Sequence, residues 1–151
     1  MLRIGLIVGN GLTIDYCRSH STSIDLPDPS DPFHWEFRVP DESGVPWQEA
    51  FPLLSRSLQK IEASAHSFDA FASLLVSLQS GPHDSVRLDA EARQFLVFAY
   101  SHFQSKVDPI GCHGWRWQQW LGEHRSHLAA FVSFNYDRIL EMAATGCGLD
   151  M

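Results

Sequence analysis

The apolar run Ile4-Gly5-Leu6-Ile7-Val8, cut off by Gly9-Asn10-Gly11, limits the fold more than any other feature of the chain. A short, continuous, aliphatic stretch that stops at glycines is the pattern of a strand buried on both faces, as in a parallel sheet covered by helices. Residues 12–20 read as the start of a helix or as a tight loop. A second run, Leu128 to Phe134, is equally short and apolar, and it ends in the polar turn Asn135-Tyr136-Asp137. Arg138 to Ala144 then reads as a helix.

The stretch between the two strands has two characters. Residues 21–48 carry Pro27, Pro29, Pro32, Pro40 and Pro46 among Asp and Ser, and read as one long irregular loop. Phe33, His34, Trp35 and Phe37 cluster in it. Such aromatics predict a loop that either anchors on helices or closes on a ligand. From 47 to 127 helical patterns dominate. Phe51, Leu54, Leu58 and Ile61 fall on one face of a helix over 47–63. Ser67 reads as the N-cap of a helix over 68–78. Leu88, Ala92, Phe95, Leu96, Ala99 and Phe103 point inward from a helix over 84–106, and 115–127 reads as a shorter, aromatic helix. The expected class is therefore α/β: the N-terminal portion of a Rossmann-like parallel sheet, with a large helical insertion between the first strand and the Asn-Tyr-Asp strand. Sheets usually have about four to six strands. The nucleotide-binding domain over residues 1–151 is thus expected to be incomplete at its C-terminus.

A chain of 151 residues with 44% apolar residues and five Trp suits one domain with a real core. Its net charge of −7 repels phosphate backbones and argues against direct nucleic-acid binding. Cys17, Cys112 and Cys147 are odd in number and far apart, which fits a reducing cytoplasm rather than a disulfide framework. No run approaches the roughly 18 apolar residues needed to span a bilayer, so no membrane partner is expected.

Two motifs carry chemistry. Val8-Gly9-Asn10-Gly11-Leu12-Thr13 ends a strand in Gly-x-Gly, which lets the backbone turn sharply and approach a ligand. Amides at the following helix start can bind a pyrophosphate, and Thr13 can offer a hydroxyl. The other reading is a plain strand-to-helix turn, because the third glycine of a dinucleotide fingerprint is replaced by Ile14. At the second motif, Asn135 and Asp137 stand at a strand's carboxyl end, where parallel sheets bind ligands. Asn135 can hold a ribose hydroxyl and orient a water, and Asp137 can accept from a carboxamide. Both residues also suit helix capping. The ligand reading requires the amides after Val8 and the carboxamide of Asn135 to face one shared crevice.

Gly9-Asn10-Gly11-Leu12-Thr13 behind the first strand, with Ser133-Phe134-Asn135-Tyr136-Asp137-Arg138-Ile139-Leu140-Glu141 far downstream, resembles the sirtuin-like domains of bacterial anti-phage defence proteins. The AbiH abortive-infection family is similar in its Gly-Asn-Gly turn and Asn-Tyr strand end. The likeness covers both ends of the chain. The middle shares only its helical character and Ser67-Phe68-Asp69, similar to an Asn-Phe-Glu helix start. The resemblance implies a domain that binds NAD as substrate and, in active members, hydrolyses its nicotinamide–ribose bond. It places the catalytic Asn on Asn135, the nicotinamide-contacting Asp on Asp137, and the phosphate turn on Gly9, Asn10, Gly11 and Thr13. Asp15, His34, Ser133 and Tyr136 complete the expected nucleotide contacts.

Two departures stand beside it. Active relatives carry a His on a loop after the Asn-bearing strand, and none of the 14 residues after Asp137 is His. No CxxC pair stands for the zinc ribbon of deacylating sirtuins, so protein deacylation is not expected. His124 and His127 share a helix face but lack further residues at ligand spacing, and no metal is expected. Trp115, Trp117 and Trp120 read as core or partner-facing surface. Two other functions compete: an inactive module whose sheet is completed by a second copy or a partner chain, and a binder of another adenine nucleotide such as ADP-ribose.

Overall fold

The computed structural model describes residues 3–20, 26–29, 31–39, 44–59 and 83–149. The elements run β1 (Ile4–Val8), α1 (Asn10–His20), a 3-10 turn (Pro32–His34), α2 (Trp47–Ala50), α3 (Pro52–Leu58), α4 (His83–Val107), α5 (Arg116–His124), β2 (Leu128–Ser133) and α6 (Ile139–Gly146). The chain divides into two compact units, residues 1–29 with 103–151, and residues 30–102. The helix expected over 68–78 and the end of the one expected over 47–63 lie outside the described residues.

In the first unit, β1 and β2 pair in parallel, as the α/β class requires, with Gly5 opposite Ala130 and Val8 opposite Ser133. The register slips once, between Ile4 and Gly5. The sheet has two strands among the described residues. Their side chains alternate. Val8 is buried and Leu6 half-buried, whereas Gly5 and Ile7 are exposed. This corrects the expectation of a strand buried on both faces. Ile7 is 71% exposed and its register partner Val132 is 43% exposed, because nothing described covers that side of the pair. The continuous apolar run in β1 hides the alternation: the outward positions are themselves Gly and Ile.

The tight-loop alternative for residues 12–20 is also resolved, since the helix α1 already includes Asn10 and Gly11. It packs on α6, and α6 packs on α5. Tyr16, Leu12 and Cys17 are buried beneath α1. Tyr16 meets Trp115 edge-on, with ring centroids 5.3 Å apart, and donates its hydroxyl to the Gly111 carbonyl at 2.6 Å. Gln104 stitches the α4 end to α6. Its Oε1 accepts the Arg138 N–H at 2.9 Å while its Nε2 donates to Asp108 at 2.6 Å. Buried amides at a helix start are costly when unpaired, and these contacts remove that cost.

The second unit centres on Phe95, which is fully buried. Its ring lies 5.1 Å from Phe33, 5.7 Å from Phe37 and 4.7 Å from Trp47. Aromatic pairs of this kind contribute about 0.5–1.5 kcal/mol each beyond area burial. Of the two readings of the loop over 21–48, the stretch 31–39 is anchored on α4 by Phe33 and Phe37. The helix expected as one piece over 47–63 breaks at Phe51. Pro52 has no N–H to continue α2, and it starts α3 at the first helical position instead. Glu91 completes that start: its Oε2 accepts the N–H groups of Leu53 at 2.7 Å and Leu54 at 3.0 Å. Ala92, Phe95, Leu96 and Ala99 line the buried face of α4 as their spacing predicts. No helix among the described residues is long and apolar enough to cross a membrane.

Candidate functional site

Parallel pairing brings the two strand tips side by side. Val8 stands opposite Ser133, and the Phe134 N–H donates to the Val8 carbonyl at 3.0 Å. Thr13, one turn into α1, is fully buried. Its hydroxyl donates to Asp137 Oδ2 at 2.6 Å, and Asn135 Nδ2 donates to Thr13 Oγ1 at 2.9 Å. Asp137 Oδ1 accepts the Ile139 N–H at 3.1 Å and so caps the start of α6. Ser133 Oγ accepts the Asn135 N–H at 3.2 Å, which fixes the turn between them. Asp137 is only 5% exposed. Burial pushes its carboxyl above the ordinary carboxylate value, and the hydrogen bonds from Thr13 and Ile139 pull it part of the way back. Asn135 Oδ1 is buried and accepts no hydrogen bond among the described residues.

Beside the same tip of β1 lies a cleft of about 630 Å³, lined by Gly9, Asn10, Gly11, Asp15, Arg18, Arg116 and Trp117 among others. Pockets of roughly 300–1,000 Å³ are the usual size for small ligands. The Asp15 carboxylate ties the wall together. It accepts from Trp115 Nε1 at 3.1 Å and from Arg116 Nε at 3.2 Å, and it pairs with the Arg116 guanidinium through its other oxygen. Gly9 and Gly11 do not have positive φ, so the sharp turn expected to need glycine is not what they supply. A Cβ at either position would meet nothing within 4 Å among the described residues. Neither backbone conformation nor packing among the described residues therefore requires glycine there.

The expected residues thus divide into two groups. Thr13, Ser133, Asn135 and Asp137 share one network. Gly9, Asn10, Gly11 and Asp15 line the cleft, which Asn135 and Asp137 do not. The two groups use different faces of α1: Thr13 and buried Cys17 on one, Asp15 and Arg18 on the other. Instead of one crevice, the glycine turn at the tip stands between a side-chain network and a cleft. The Thr13 hydroxyl, expected to meet phosphate, is engaged by its two neighbours. Both Asp137 oxygens, expected to include a carboxamide contact, are likewise taken. Tyr136 is 56% exposed beside Asn135. His34 belongs to the other unit, where Nδ1 contacts Asp31 Oδ2 at 2.6 Å and the side chain is 68% exposed.

Sequence reasoning missed Arg18, Arg116 and Trp117. Gly11, Asp15 and Arg18 recur at helical spacing, a signal that could have found Arg18. Arg116 gave none, because its partner Asp15 lies 101 residues earlier. Among the described residues, no group of three or more His, Cys, Asp or Glu could hold a metal ion. Comparison with family models, curated proteins and solved structures gave no match.

Proposed function

We propose that the paired strand tips bind NAD or a related adenine nucleotide laid across the glycine turn, phosphates in the cleft and nicotinamide ribose toward Asn135 on the other side in place of the single crevice first expected, and that Asn135 directs a water onto the ribose that carries nicotinamide. The observation behind this reading is the Asn135–Thr13–Asp137 chain of hydrogen bonds. It holds a polar amide at the carboxyl end of a parallel strand pair, where α/β sheets receive ligands. The glycine turn supports the phosphate part, because close approach of a ligand to the backbone is a reason for Gly9 and Gly11 that the described residues do not otherwise supply. Arg18 and Arg116 add positive charge to the same cleft.

In the proposed reaction the C1′–N bond breaks and its electron pair leaves with nicotinamide. The water oxygen bonds to C1′ and its proton passes to solvent, giving nicotinamide, ADP-ribose and one proton. Asn135 orients the oxygen nucleophile or the ribose hydroxyls against the cation-like centre. Loss of NAD by this chemistry is the mode of anti-phage defence that the motif resemblance suggests. The test is calorimetry with NAD, followed by a hydrolysis assay, on the wild type and Asn135→Ala. Binding and turnover that are lost in the variant support the reading. Equal turnover in both proteins, or no binding by the wild type, rejects it.

One observation favours a second reading. Ile7, Val132 and Phe134 leave an apolar stretch of the strand pair exposed, and a second copy would bury it. A dimer on size exclusion, with no affinity for NAD, favours this interaction role.

A further inference from the structure

Proton counting at the strand tips leads to a role for Thr13 that its motif position does not suggest. A threonine hydroxyl donates once and accepts through its oxygen. The Asp137 carboxylate is acceptor-only when ionised, so the single Thr13 proton goes to it, along the 2.6 Å contact. Thr13 Oγ1 is then available only as an acceptor. The Asn135 atom 2.9 Å away must be its donor, Nδ2. That leaves Oδ1 on the other arm of the amide, buried and accepting nothing among the described residues. Asp137 is itself immobilised, because its second oxygen holds the Ile139 N–H at 3.1 Å.

We propose that Thr13 is a positioning residue that locks the polarity of the Asn135 amide, nitrogen toward Thr13 and carbonyl oxygen left unpartnered, with Asp137 as the anchor rather than a ligand contact. The consequence is a recognition rule. Once the strand-tip turn admits a group to this buried atom, Asn135 accepts one O–H donor, a ribose hydroxyl or the attacking water, and discriminates against a ligand group that offers only lone pairs at that point. An unpaired buried acceptor costs free energy until such a donor meets it. The identity of that ligand rests on the nucleotide reading above, but the lock itself does not.

The experiment compares the wild type with Thr13→Val, which keeps the shape and removes the hydroxyl, and with Thr13→Ser, which keeps the hydroxyl. The first readout is the Asn135 side-chain amide by ¹⁵N NMR. In the wild type its protons are protected from exchange and show contacts to Thr13. Protection is lost in the Val variant and retained in the Ser variant. The second readout is NAD turnover. The Val variant loses about 100-fold in kcat with KM little changed, a loss typical of one misplaced polar group at a reacting centre, and the Ser variant restores most of it. Rapid exchange of the wild-type Asn135 amide, or unchanged protection and kcat in Thr13→Val, overturns the proposal. Should Thr13→Val fail to fold, the wild-type spectrum and Thr13→Ser still decide it. Should the wild type not act on NAD, the nucleotide reading falls, and the amide protection alone settles the lock.

Discussion

Thr13 and Asn135 stand 122 residues apart and share a 2.9 Å hydrogen bond between the ends of two parallel strands. The bond depends on register: Val8 opposite Ser133 puts α1 and the Asn135 turn on the same edge of the pair. A one-residue slip would reverse the facing of every side chain in β2 and separate them.

The glycine turn gives the first prediction. Gly11 lies in the first turn of α1, has no positive φ, and leaves room for a Cβ. Gly11→Ala should therefore leave stability unchanged or raise it by up to about 1 kcal/mol. The same methyl intrudes where a pyrophosphate would approach, so affinity for NAD should fall by about tenfold or more. Thermal melting and calorimetry on the one variant measure both. A variant that is stabilised and binds normally would remove the phosphate role of the turn.

Arg116 separates binding from folding. Its side chain is 72% exposed in its pair with Asp15, so Arg116→Ala should change unfolding free energy by no more than about 1 kcal/mol. Nucleotide affinity should drop and become less sensitive to salt, since one charge contact is gone. Titrations at low and high ionic strength check this. Identical salt slopes in both proteins would place the phosphates elsewhere.

The buried carboxyl predicts a pH dependence with a definite sign. Burial raises the folded-state value of Asp137 above the ordinary 3.8. Below the ordinary value both states hold the proton, and the contribution of this group to stability is complete. As pH rises through the raised folded value, the unfolded chain has already released its proton, and the contribution is lost. Asp137→Asn does not titrate. Its stability is therefore the flat reference against which the wild type's advantage in acid is read. The gap should narrow as pH climbs from about 4 toward neutrality. Denaturant unfolding across that range measures it, and a gap that widens with pH would contradict the burial argument.

Cysteine reactivity reports on packing under α1 and α6. Burial pushes the Cys17 thiol up to about 12, with the Asp137 charge adding to it, and burial likewise pushes Cys112 up to about 11. Thiolate is the reactive form, so alkylation of the native protein near about pH 7 should spare both residues. All three cysteines should react in denaturant. Mass spectrometry locates the label, and rapid native labelling of Cys17 would show that the site beneath Thr13 opens readily.

Much of the local structure was legible before the fold was known. The 3.6-residue period of Ala92, Phe95, Leu96, Ala99 and Phe103 predicted the buried face of α4, and both strand runs were found within a residue or two of their ends. Pro52 was also in plain view, but the apolar period ran through it and masked the break between α2 and α3. The bare side of β1 was hidden for a different reason, since an exposed Ile7 looks the same in sequence as a buried one. Asn135 stood out as a polar residue at a strand end and Thr13 as a hydroxyl behind the glycine turn, each singly. Their hydrogen bond, and the Asp15–Arg116 wall of the cleft, join residues too far apart for any local pattern to register.

The same long separation bears on how the chain comes to be folded at a ribosome. β1 is made well before its partner, which begins at Leu128. At about 5–20 residues per second, the aliphatic strand waits roughly 6–25 s for a mate. During that wait Leu6, Ile7 and Val8 are sticky, unpaired chain. A holdase chaperone that grips β1 and α1 during that wait should raise the yield of this protein.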